Sequence, residues 1–303
     1  MLKISSRNKL LSEYVHYLRE DRCNVKATID EHTRRVELFL RFIKKYASCS
    51  KLHALKTRII HDYVIEGCKN TSRALRKKLT SSTRSFLRFA YIQGYLKKDL
   101  VQVVPNVRTY KLSGLPKGLQ WNLVQKLLLQ PDRSTHSGRR TYAVLQLISS
   151  YGLRVGQVLS LNLKDIDWNK GTLFFRPYKR GKALSFPLKA PVAEALLDYI
   201  KKDRRHSSFK EVFLSVNGKK RPAQEVVTAI KNCYKKANIK IPYGVTHPIR
   251  HAFATKLVQE GMSFKTIADL LGHRSMDTTF IYTKVNIPQL RLLARPWPVE
   301  VES

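Results

Sequence analysis

The chain has 303 residues, 43% of them hydrophobic, which suits two domains and excludes wholesale disorder. Its 57 Lys and Arg face 22 Asp and Glu, a formal net charge of +35 that draws polyanions, chiefly nucleic acid. No apolar run approaches the roughly 18 residues needed to span a bilayer, so a membrane partner is not expected.

The charge is spread along the chain, +15 over residues 1–110 and +20 over the rest. Solubility alone asks for less. The cysteines, Cys23, Cys49, Cys68 and Cys233, form no C-x-x-C pair and no cluster with histidine that would suggest zinc. "MLKISSRNKL" lacks the apolar centre of a signal peptide, so a reducing, cytoplasmic setting is expected.

The first hundred residues read as helices. Thr28 and Glu31 have the spacing of a capping box, and Val36, Phe39, Leu40, Ile43 and Tyr46 follow at helical intervals. Arg34, Arg35, Arg41, Lys44 and Lys45 fall outside that stripe. A second helix is predicted from Thr57 to near Gly67, and a third from near Thr71 to a stop at Gly94. In the third, Leu75, Leu79, Phe86, Phe89 and Ala90 are core candidates. Arg73, Arg76, Lys77, Arg84 and Arg88 remain outside; single charges of this kind are usually solvated, but a bundle with a basic outer side reads better as a DNA-facing module.

"VVPNVRTYKLSGLPKG" breaks the pattern with two prolines and two glycines. The expected division is a helical domain at 1–102, a linker at 103–118, a second domain at 119–285 and a tail at 286–303. Helices are predicted around Trp121–Gln130 and Arg139–Ser150. Two short strands flank the turn Tyr178–Lys182, and helices return at "APVAEALLDYIKK". The fold class is mainly α with a small β-sheet: a helical domain followed by a mixed α/β domain.

Four places in the second domain concentrate reactive side chains. Arg154 follows Gly152 at the start of a helix, where its donors and nearby amides suit a phosphate or a carboxylate. Lys179, Arg180 and Lys182 sit on the hairpin turn, either as ordinary turn charges or as a group reaching a groove. In "THPIRHAFATKL", Pro248 fits a first helical turn, and His247 and Arg250, three apart, share one side of it. They can hold two oxygens of one phosphoryl group or form a surface pair; His251 points elsewhere, as a structural residue. In "LLGHRSMDTTFIYTKV", Gly272 closes a helix before His273, Ser275 can cap a short helix, and Tyr282 is either core or a nucleophile.

The order and spacing of these residues resemble the tyrosine recombinase, or phage integrase, family. "HPIRHAFATKL" and "IADLLGHRSMDTTFIYTKV" look like that family's second conserved box. The likeness is close over about residues 115–285, and the basic helical domain is similar to the family's core-binding domain. The resemblance implies a catalytic set of Arg154, Lys179, His247, Arg250, His273 and Tyr282. Two positions depart from the pattern: Gln157 stands where an acidic residue is common, and Lys182 shares the turn with Lys179.

What the resemblance implies is phosphoryl transfer on double-stranded DNA with no metal or other cofactor. Tyr282 would form a 3′-phosphotyrosine and free a 5′-hydroxyl, Arg154 and Arg250 would clamp the phosphoryl oxygens, and His247 would assist proton movement from Tyr282. His273 would hydrogen-bond the phosphate, and Lys179 would protonate the leaving oxygen. "KDID" supplies only Asp165 and Asp167, fewer carboxylates than a two-metal site usually needs. The family's architecture implies a clamp around the duplex, four protomers in the synaptic complex, and a place at the nucleoid. A short helix candidate at Ile287–Ala294 could dock on a neighbouring protomer or on its own domain. Few residues precede the first expected helix, which fits a compact Xer-like, integron-like or mobile-element enzyme. A type IB topoisomerase and a catalytically decayed DNA-binding protein are the alternatives.

Overall fold

The structure, a computed structural model, describes residues 7–46, 52–107, 118–177, 182–204, 207–215, 223–241, 244–272 and 279. The chain divides into two units, Met1–Tyr110 and Lys111–Ser303.

The first unit is built from helices α1 (Arg7–Arg19), α2 (Lys26–Tyr46), α3 (Thr57–Cys68) and α4 (Arg73–Ile92), with short 3-10 turns at Leu52–Ala54 and Val101–Val103. Its core is aromatic. Tyr14, Phe39, Phe86 and Phe89 are buried together, with Tyr14 edge-on to Phe86 at 5.5 Å and Phe39 at 4.8 Å from Tyr63. Tyr14 also donates to Ser85 Oγ (2.9 Å) and meets His32 Nδ1 at 3.2 Å, which ties α1, α2 and α4 through one hydroxyl. Burial of that hydroxyl without partners would cost about 1–3 kcal/mol, so the bonds fix which tyrosine rotamer the core accepts.

Two sequence expectations change here. Helix α2 begins two residues before Thr28, whose N–H already donates to the Val25 carbonyl (2.9 Å), so Thr28 is not the cap. Glu31 instead pairs with Lys78 (2.8 Å) and Arg35 (2.9 Å), and those cations hold its carboxyl below the usual range. Leu75 is 41% exposed, because all of residues 73–78 stand clear of the bundle and the apolar stripe begins at Leu79. Helix α1, not singled out in the sequence, buries Leu10, Tyr14, Tyr17 and Leu18 on one face. The other α4 boundaries follow their chemistry: the Ser72 hydroxyl accepts from Leu75 N–H, and Gly94 adopts φ +73° after the last turn.

Of the basic residues on α4, Arg73, Arg76, Lys77 and Arg88 are exposed. Arg84 stands only half outside and donates to the Val104 carbonyl (2.8 Å), which fastens the segment after α4 to the bundle.

The second unit carries α5 (Trp121–Leu128), α6 (His136–Tyr151), α7 (Val155–Val158), strands β1 (Ile166–Asp167), β2 (Thr172–Phe175) and β3 (Leu184–Pro187), then α8 (Ala190–Lys202), α9 (Ala223–Lys236), α10 (His247–Gln259) and α11 (Phe264–Leu270). The strands form an antiparallel sheet in the order β1-β2-β3, with Leu173 opposite Phe186 and Phe175 opposite Leu184. Those four face the core, while Phe174 and Ser185 face outward, as the two-residue period of a strand requires. Strand β1 has two residues, too few for alternation to reveal.

Helices α6 and α10 are buried nearly all round. Helix α6 places Ala143, Val144, Leu145, Leu147 and Ile148 in one cluster with the sheet and α8. Helix α10 is a wedge: Ile249 and Ala252 join that cluster, while Phe253, Leu257 and Val258 join a second one with Ile267 and Leu271. Helix α6 ends at Gly152, with φ +63°. A Cβ there would lie 2.4 Å from Phe253 Cδ1 and 2.7 Å from Leu271 Cδ2. Only glycine gives both that dihedral and that clearance. The end of α6, the side of α10 and the end of α11 therefore meet at one point.

Candidate active site

That meeting point is where the sequence motifs converge. After Gly152 the chain buries Leu153 and presents Arg154 as the extended residue that opens α7. The Arg154 N–H donates to Gln157 Oε1 (3.1 Å), and the Gln157 N–H returns to the Arg154 carbonyl (2.8 Å). Gln157 is 3% exposed, so its amide holds the Arg154 backbone from inside the protein. An amide oxygen accepts this bond as a carboxylate would, without adding a negative charge beside the guanidinium. The Arg154 side chain is half-buried.

Helix α10 carries the second part. Pro248 occupies its first turn, as expected. His247 is exposed at the helix start, whereas Arg250, one turn on, is only 5% exposed. The surface-pair reading of these two therefore fails for Arg250. Its two terminal nitrogens donate to the Gly152 carbonyl (2.6 Å) and the Leu271 carbonyl (2.7 Å). Both acceptors sit at helix C-termini, those of α6 and α11, where carbonyls lack intrahelical partners and the helix dipole is negative. A guanidinium buried there is solvated by main-chain dipoles that keep its formal charge. His251 is half-buried, and burial, with His247 and Arg250 nearby, pushes its imidazole down to about 4. It is neutral at neutral pH, in keeping with a structural residue.

The third part is the end of α11. Leu271 is fully buried and Gly272 takes φ +59°, so the chain turns out of the helix immediately before His273. Strand β3 comes close: a Cβ on Gly272 would lie 3.3 Å from Leu184 Cδ1. Lys182, just before β3, is exposed and stands 3.7 Å from Asp269 of α11. Lys179, Arg180, His273, Ser275, Tyr282 and the segment Ile287–Ala294 lie outside the described residues.

The structure thus ties Arg250 to Gly152, two residues before Arg154, and to Leu271, two residues before His273. Sequence reasoning missed the carbonyls that seat Arg250, since Gly152 is 98 positions away and nothing local marks it as an acceptor. Asp165 is committed elsewhere: it is buried, pairs with Arg176 (2.9 Å) and accepts the Asn162 N–H (3.0 Å). Among the described residues, no group of three or more His, Cys, Asp or Glu is placed to hold a metal ion.

A helical first unit and a helical second unit with one small antiparallel sheet match the architecture of the tyrosine recombinases. Residues 119–288 match the phage integrase family, and residues 11–94 match the N-terminal SAM-like domain of phage integrases. The chain belongs to the phage integrase family. It is 34% identical over 295 residues to the putative integrase/recombinase y4rA of Sinorhizobium fredii (strain NBRC 101917 / NGR234), covering 95% of this chain and 71% of that protein. It is 28% identical to tyrosine recombinase XerD of Staphylococcus epidermidis (strain ATCC 35984), over 94% of this chain and 96% of XerD. In fold it is similar to XerH site-specific recombinase bound to palindromic difH substrate in a post-cleavage complex (TM-score 0.74, 17% identity, 93% and 83% of the two chains). A lambda integrase tetramer bound to a Holliday junction is also similar (TM-score 0.70, 18% identity, 97% and 80%).

Proposed function

We propose that this chain performs site-specific recombination of double-stranded DNA, cutting and rejoining strands through a covalent link to Tyr282. The observation that supports the reading is the seat of Arg250, which ties α10 to Gly152, two residues before Arg154, and to Leu271, two residues before His273. Convergence of cations is what in-line phosphoryl transfer needs, because negative charge builds on the non-bridging oxygens as the nucleophile arrives.

The Tyr282 oxygen attacks a backbone phosphorus, and the bond from phosphorus to the 5′-oxygen breaks. Arg154 and Arg250 hold the non-bridging oxygens. His247, exposed at the start of α10, assists removal of the Tyr282 proton, and His273 hydrogen-bonds the phosphoryl group. Lys179 gives a proton to the departing 5′-oxygen. The neighbouring Lys182 faces Asp269, which supports Lys179 in that role. A 5′-hydroxyl from a second strand then attacks the phosphotyrosine and restores the tyrosine. The scheme draws its charge stabilisation from side chains, with no metal or nucleotide consumed. The excess of cations in both units supports affinity for the DNA backbone, with Arg73, Arg76, Lys77, Arg84, Arg88, Arg180 and Lys182 as contacts. Assembly as a homotetramer on two duplexes, and action at the nucleoid, belong to the same reading. No described helix is long and apolar enough to cross a membrane.

The test uses DNA with a 5′-bridging phosphorothiolate, whose sulfur leaving group cannot rejoin the strand. A covalent adduct that survives denaturation and maps to Tyr282 is expected, undiminished by chelators. Tyr282→Phe should bind DNA and give no adduct. An adduct on another residue, or cleavage lost with EDTA, would refute the scheme.

A further inference from the structure

The segment that enters the second unit, residues 118–121, is laid along α10. At Gly118 the approach is so close that a Cβ would stand 3.2 Å from the Ala252 nitrogen, the His251 carbonyl carbon and His251 Cβ. The next residue, Leu119, donates its N–H to the Pro248 carbonyl across 3.4 Å and is buried with Ile249 and Ala252. Two residues further on, Lys256 Nζ lies 4.4 Å from the centre of the Trp121 ring. The strap thus touches α10 at Pro248, Ala252 and Lys256, positions four apart that form one stripe along a helix.

Arg250 binds α10 to the ends of α6 and α11, and the strap holds the same first turn through a separate set of contacts. His247 is the first residue of that turn and is exposed, so its position moves with the turn. We propose that Gly118 is a positioning residue: the seat of the strap on α10 sets where His247 and Arg250 stand for strand cleavage. The proposal rests on the recombinase reading above. Gly118 is not among the glycines with positive φ, so alanine there is acceptable to the backbone dihedrals and would act through contact alone. The atoms it meets are mostly main chain and cannot rotate away, so the strap and α10 must part by a few tenths of an ångström at His251 and Ala252, next to the turn that carries His247 and Arg250.

The experiment measures single-turnover adduct formation on the phosphorothiolate DNA, with DNA affinity and thermal midpoint taken on the same preparations. Gly118→Ala is expected to keep wild-type affinity and midpoint while forming adduct about 10- to 100-fold more slowly, the scale of loss for a misplaced reacting group. A folded Gly118→Ala with the wild-type rate would overturn the proposal, as would a loss of affinity equal to the loss of rate. Should Gly118→Ala not fold, Lys256→Gln decides at the far end of the strap. A rate about three-fold lower at unchanged affinity supports the proposal, and the wild-type rate overturns it. If the wild-type chain forms no adduct, the recombinase reading fails and takes this inference with it. If wild type and Gly118→Ala react alike, this inference alone fails.

Discussion

Helix α6 has a buried arginine at each end, and the two are held in different ways. Arg140, near its start, is 1% exposed, donates to the Leu214 carbonyl (2.6 Å) and pairs with Glu225 (2.9 Å). Arg250, brought in by α10 at the other end, sits on the carbonyls of Gly152 and Leu271. A carboxylate neutralises a guanidinium; carbonyl dipoles orient it and keep its charge. The first arrangement serves the fold, by fastening α6 to the segments around Leu214 and Glu225. The second fastens α10 to the ends of α6 and α11, where the proposed site lies.

The comparison breaks most directly by substitution. Arg250→Ala should slow cleavage by about 3 kcal/mol or more at the barrier, and it should also destabilise the unit because two helix-end carbonyls lose their donor. Arg140→Ala removes the donor to the buried Leu214 carbonyl and should cost about 1–3 kcal/mol of stability, with cleavage per folded molecule unchanged. Denaturant unfolding and single-turnover cleavage on both variants separate the two roles. A folded, stable Arg140→Ala that cannot cleave DNA would erase the distinction.

Gly152→Ala attacks the shared point itself. It forces a positive φ on a residue with a Cβ and drives that carbon into Phe253 and Leu271. A stability loss of about 2–3 kcal/mol is expected, with cleavage falling alongside as the Arg250 acceptor moves. A thermal midpoint equal to wild type would remove the close packing of Gly152 against Phe253 and Leu271 as a source of stability.

His251 tests the site through pH. Its folded value, about 4, lies below the unfolded value of roughly 6.5, so between these the unfolded chain binds the extra proton. Stability from this group is present above about pH 6.5 and is lost as pH falls toward 4. His251→Gln should flatten that part of the stability–pH curve, read from urea midpoints at several pH values; an unchanged slope would remove His251 as its source. The smallest effect is expected at Asp269, whose pair with Lys182 is exposed on both sides. Asp269→Asn should change stability by less than about 1 kcal/mol.

Much of the fold was legible beforehand. The three helices expected in the first unit appear, because their apolar spacing and the glycine stop at Gly94 are local signals. The hairpin strands appear for the same reason. Leu75 was misread because helical spacing says which face a residue shares, not how far along the helix the neighbouring core extends. Thr28 was misread because the helix starts two residues earlier, at Lys26, and the Thr28 N–H is already bonded within its first turn. Helices α6 and α10 gave weak periodicity because they are buried on most sides.

By itself the sequence determined the cationic character of the chain, its helical segments, and the order in which Arg154, His247 and Arg250 precede the stretch with His273 and Tyr282. These depend on composition and near-neighbour spacing. The tertiary structure alone decided that Arg250 is buried and His247 exposed, that Gln157 holds the Arg154 backbone, and that Gly118 lies against α10. Each of those requires groups distant in the chain to share a few ångströms, and spacing along the chain carries no record of which distant carbonyl will be waiting.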